Sequence, residues 1–190
     1  MSLTQNLQKS TFTQEFAKLT EQRDNVLDNL RKRGYLVTTS QSTSQSTINA
    51  LYYHVKDRAG HYLGSAAEPE VKPGLSANAI ESRKYLNRQV LVKKLSELSA
   101  RLQTDGGDQI NVNTMKLDAL GYKTAVSHLE NSILVKVANT DAKDVRELHV
   151  NKKEILNGTE NKAIAGWLTT ITTDLVKQRG RQPSKDTANG

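Results

Sequence analysis

Apolar positions along the chain switch between two periods, and the switches mark out its elements. From Phe12 to Arg33, the residues Phe12, Phe16, Leu19, Val26, Leu27 and Leu30 recur at helical spacing and predict one amphipathic helix. Thr11 or Thr13 can cap its start, and Gly34 suits the left-handed position just past its end. Tyr35-Leu-Val-Thr-Thr, β-branched and aromatic, predicts a strand. Ile48–Lys56 and His61–Gly64 predict two more, joined by a turn at Asp57-Arg-Ala-Gly60. A second long helix is expected from Ala79 to Leu102, with Ile80, Leu91, Leu95, Leu98 and Leu102 on one face and a capping box of Asn78 and Glu81.

Beyond residue 102 the elements shorten. Asp105-Gly-Gly-Asp108 breaks the second helix. Ile110-Asn-Val112 reads as a strand, Thr114–Leu120 as a short helix stopped by Gly121, and Tyr122–Leu129 with Ile133–Ala138 as a hairpin. Asp141–His149 reads as a helix, because Asp141 and Asp144 fall where first-turn acids would. Ile164, Trp167, Leu168, Ile171 and Leu175 predict an amphipathic helix over Thr159–Val176, ended by Gly180. Leu30–Leu36 and Leu117–Thr124 both read helix, Gly-Tyr, strand. Two related units would give this pattern, but so would two ordinary helix stops, the simpler reading.

The fold class expected is α+β: two long amphipathic helices and a C-terminal helix on short antiparallel strands. Residues 12–64 form one helix-plus-strand segment. Residues 65–77, with Pro69, Pro73 and Gly74, are a linker or long loop. Residues 78–176 follow as a mixed segment, continuous with the first or separate from it. Residues 177–190 are a polar tail expected to be disordered, and the tandem Ser-Gln-Ser-Thr of residues 40–47 is expected to be a mobile loop. The helix, three strands, helix order over 12–102 is similar, in topology alone, to double-stranded-RNA-binding domains. The first helix is longer than in that family, and the family's basic cluster at the start of the last helix is missing.

Charge changes this picture more than composition does. The 190 residues hold 27 Lys+Arg against 20 Asp+Glu, a net +7. Residues 1–95 have 14 basic and 8 acidic residues (net +6), and residues 96–190 have 13 and 12 (net +1). A positive field attracts polyanions. No cysteine is present, which excludes disulfide scaffolds and thiolate zinc sites and agrees with a reducing compartment. The first ten residues lack the apolar stretch of a secretory signal, so a cytoplasmic, non-membrane protein is expected.

Two surfaces could meet phosphate or bases. On the second helix Arg83, Lys94 and Arg101 line up, with Lys84, Arg88 and Lys93 nearby. In the hairpin, Tyr52, His54, Lys56, Arg58, His61 and Tyr62 interleave rings with cations; alternation puts Tyr52, His54 and Lys56 on one face and Tyr53 and Val55 on the other. The tail adds Lys177, Arg179, Arg181 and Lys185. Phe16, Leu19, Arg23, Val26 and Leu30 follow a coiled-coil spacing, with Arg23 interrupting the stripe; that seam could join a partner or a second copy.

No P-loop, Gly-x-Ser-x-Gly, HExxH or GxGxxG motif occurs. His54 and His61 could face each other across the hairpin, but two histidines make an incomplete metal site, and no cofactor is expected. The expectation is a non-enzymatic nucleic-acid-binding protein, for DNA or RNA, with weak sequence preference. The alternative is a protein-interaction module using the amphipathic seams.

Overall fold

The computed structural model describes residues 3–42 and 49–181. Most of the Ser-Gln-Ser-Thr repeat and the tail from residue 182, with Lys185, lie outside the described residues. The chain is α+β, with eleven elements among the described residues in two compact units.

The first unit runs α1 (Leu3–Lys32), β1 (Leu36–Gln41), β2 (Ala50–Lys56), β3 (Tyr62–Pro69), α2 (Ala77–Thr104). Its sheet is antiparallel, in the order β1-β2-β3. Val55 pairs with Val37 and Gly64, and Tyr53 with Thr39 and Ala66, so one face is built from these residues. Both helices pack on it: Leu30, Val55, Leu98 and Leu102 share one buried cluster, and Leu27, Tyr53, Ala66, Leu91 and Leu95 another. The helices run parallel, because Phe12 meets Tyr85, Thr20 meets Arg88, and Arg33 meets Ser99. Gly34, at φ 90°, turns the chain out of α1, and Tyr35 N–H donates back to the Leu30 carbonyl at 3.1 Å.

The second unit repeats this order: α3 (Gly107–Ala119), β4 (Tyr122–His128), β5 (Ser132–Asn139), β6 (Val145–Asn151), a short α4 (Lys152–Leu156), and α5 (Glu160–Arg181). Its sheet runs β4-β5-β6, again antiparallel. Ile110 and Leu117 of α3, Ile133, Val135 and Val137 of β5, and Ile164, Leu168 and Ile171 of α5 form its core. The tetrapeptide Arg58–His61 belongs to this unit. Gly121 (φ 84°) leaves α3 as Gly34 leaves α1. The two Gly-Tyr stretches stand at equivalent points of two helix–three-strand–helix units, and each ends a helix, as the simpler reading expects.

Other expectations change as well. Ile110–Val112 is helix, not strand, because α3 starts at Gly107, whose N–H donates to Asp105. Residues 145–151 are strand, not helix: Asp144 accepts hydrogen bonds from Tyr122 and Arg146 instead of capping a first turn. Ser76, not Asn78, receives the Ala79 N–H at the start of α2. Ser65–Pro69 lie in β3 where a loop was expected, and α5 runs through Gly180.

Candidate nucleic-acid interface

Both helices of the first unit cover the Tyr53/Val55 face of its sheet. The opposite face carries, by register, Leu36, Lys56 and Tyr62 in one cross-strand row, Thr38, His54 and Ser65 in the next, and Ser40, Tyr52 and Ala67 in the third. The alternation expected for β2 is thus observed: Tyr53 and Val55 are buried, while Tyr52, His54 and Lys56 are half-buried on the other side. A register shift at Val55/Lys56 lets Tyr62 join this face, with 44% of its surface exposed.

The rings form a row. Tyr52 and His54 are stacked, 6.0 Å apart with 7° between planes, and Tyr62 lies 6.2 Å from His54. Ser40 Oγ sits 2.6 Å from His54 Nε2 and fixes the imidazole. Alternating strand geometry makes such a row, since residues two apart point the same way. Lys56 supplies the row's cation, and Thr38, Ser40 and Ser65 supply hydroxyls.

The remaining sequence-derived residues of the first unit do not join this face. Arg83, Lys84 and Lys94 are exposed on α2, which packs on the opposite side of the sheet. Arg88 is used structurally: it pairs with Glu68 at 2.7 Å, donates to Thr20 at 2.8 Å and lies over the Phe16 ring at 4.7 Å. Arg101 donates to the Leu63 carbonyl at 2.6 Å. In the second unit Arg58 pairs with Asp118, and His61 is buried with its ring 5.1 Å from His128. In α5, Arg179 donates to the Leu120 carbonyl; Lys177 and Arg181 are exposed and helical rather than disordered.

The seam on α1 is largely consumed inside its own unit. Leu30 is fully buried, Val26 packs against the core, Phe16 lies under Arg88, and Leu19 is half-buried. Arg23 is held by Asp24 at 2.8 Å.

Among the described residues no cluster of three His, Asp or Glu could hold a metal, and no helix is long and apolar enough to cross a membrane. No family model matches the chain, and neither curated proteins nor solved structures give a match.

Proposed function

We propose that the chain binds single-stranded nucleic acid, without catalysing a reaction, on the open face of its first sheet. The observation that carries this reading is the row Tyr52–His54–Tyr62 on a face that neither helix of the unit covers. Unpaired bases stack on such rings, at about 1–3 kcal/mol per base, whatever their identity. Ring centres 6.0 Å and 6.2 Å apart suit bases splayed along an extended strand, one per ring, not the closer stack of a duplex. Lys56 and the hydroxyls meet the sugar-phosphate chain, and the net charge of +7 favours encounter with a polyanion.

Because rings outnumber cations on this face, salt dependence is expected to be shallow. Single-strand affinity falls with a slope of about −0.7 per neutralised phosphate. One or two phosphates give less than about a tenfold loss between about 50 and about 200 mM salt. Anisotropy of labelled oligonucleotides of about 12 nucleotides tests this. Absence of binding at the lowest salt rejects nucleic-acid binding altogether. Binding only to duplex, with a steep slope, rejects the sheet face in favour of the cations of α2.

A further inference from the structure

We infer that the trough between α3 and α5 in the second unit is a docking groove for an acidic amphipathic helix of a partner protein. It is lined by Gln109, Asn113 and Lys116 of α3 and by Thr169, Thr173 and Val176 of α5, with Lys177 at the rim. Although its sequence is polar, its surface is mostly carbon, for a specific reason. Thr169, Thr172 and Thr173 each donate their hydroxyl to the carbonyl four residues back, at 2.7–2.8 Å. A threonine bonded in this way presents its methyl group outward. Val176 (53% exposed) and Ala119 add to the apolar lining.

The first unit shows that such a seam can be filled from within. There Phe12 packs edge-on against Tyr85 at 5.8 Å, and Arg88 lies over Phe16 and bonds Thr20. In the second unit Asn113 bonds Thr169 at 2.8 Å across the corresponding place. The trough stays open beside an intact core.

Charge selects the occupant. The described residues that line the trough include two lysines and no carboxylate. A second copy of a chain with net charge +7 is disfavoured there, and an acidic partner is attracted. The rings that would receive bases are also missing from the lining. The 13 residues of α3 give a wall about 20 Å long, enough for three to four turns of a partner helix laid into the groove.

The test uses the full chain and a labelled helical peptide, leucine at every third and fourth position and glutamate elsewhere, with a lysine-for-glutamate peptide as control. The acidic peptide is expected to bind and the basic one not. Lys116→Glu with Lys177→Glu should weaken the acidic peptide by about tenfold or more, and Val176→Asp by a similar factor, with unchanged circular dichroism. All three positions are exposed, so folding is spared. No acidic-peptide binding, equal binding of both peptides, or an unaffected double variant overturns the assignment. It is also overturned if the double variant loses oligonucleotide affinity about tenfold while the acidic peptide never binds; the lysines then serve nucleic acid.

Discussion

The His54 imidazole lies almost parallel to the Tyr52 ring, two residues away on the same strand, with 7° between their planes. Ser40 of the neighbouring strand holds it there. Such preorganisation lowers the ordering cost of stacking a ligand base. His54→Ala is expected to weaken single-strand binding by about fivefold or more, the lower end of one stacking contact. His54→Phe should keep most of the affinity. Anisotropy titrations check both, and thermal melts should move little, because the side chain is only half-buried.

Arg88 was a candidate phosphate ligand in the sequence, and its place in the fold gives it a different consequence. Its side chain is 12% exposed and that of Glu68 15%. Removing one partner of a pair this buried leaves an uncompensated charge and costs about 3–5 kcal/mol. Arg88→Ala should therefore lower the stability of the first unit in chemical denaturation. Arg83→Gln, on the same helix but exposed, should not. An unchanged denaturation midpoint for Arg88→Ala contradicts this placement.

Gly106 and Gly60 both have positive φ, 104° and 86°, yet should respond differently to alanine. A Cβ on Gly60 meets nothing, so the left-handed backbone alone costs about 1–2 kcal/mol. A Cβ on Gly106 falls 2.9 Å from the Asn161 carbonyl oxygen and 3.2 Å from the Ala165 Cβ. Gly106→Ala must shift α5 away from α3 and should cost about 3 kcal/mol or more. Fluorescence of Trp167, the single tryptophan, which packs on the second unit's core, follows the loss.

Stability of the second unit should depend on pH at both extremes through one contact. Hydrogen bonds from Arg146 and Tyr122 hold the Asp144 carboxyl below its ordinary range. A depressed carboxyl stabilises the fold above its unfolded pKa of about 3.9, and that contribution is lost as pH falls through the folded value. Tyr122 is raised, first by its hydrogen bond to Asp144 and then by burial. Its contribution is complete below about pH 10 and is lost as pH rises through the folded value. Asp144→Asn should flatten the acid limb, and Tyr122→Phe should remove this tyrosine's part of the alkaline one. Melts from acid to alkaline pH check both.

The long periodic elements were legible in the sequence because one face of each is apolar over many turns. Leu91, Leu95, Leu98 and Leu102 of α2, and Ile164, Leu168 and Ile171 of α5, all went into cores. Short elements were misread where local chemistry had two uses. Asp144 looks like a first-turn acid, but its partners Tyr122 and Arg146 come from strands. Ile110-Asn-Val112 looks β-branched enough for a strand, and only the start of α3 beside Asp105 makes it helical. Asn151 and Glu154 do carry the signature of the capping box that opens α4, a signal passed over in reading that stretch. The aromatic row was half legible. Strand alternation gives Tyr52, His54 and Lys56, but the register shift that adds Tyr62 depends on pairing with β3. The positive surface was not legible, because Arg88 and Arg101 are spent on intramolecular partners no spacing rule identifies.

The central claim, that bases stack on the open face of the first sheet, is tested most directly by a double variant. Tyr52→Ala with Tyr62→Ala removes two rings of the row without touching the buried Tyr53/Val55 face. Single-strand affinity is expected to fall by about thirtyfold or more, the loss of two stacking contacts, while circular dichroism and duplex affinity stay unchanged. Single-strand affinity within about twofold of wild type, in a folded double variant, contradicts it.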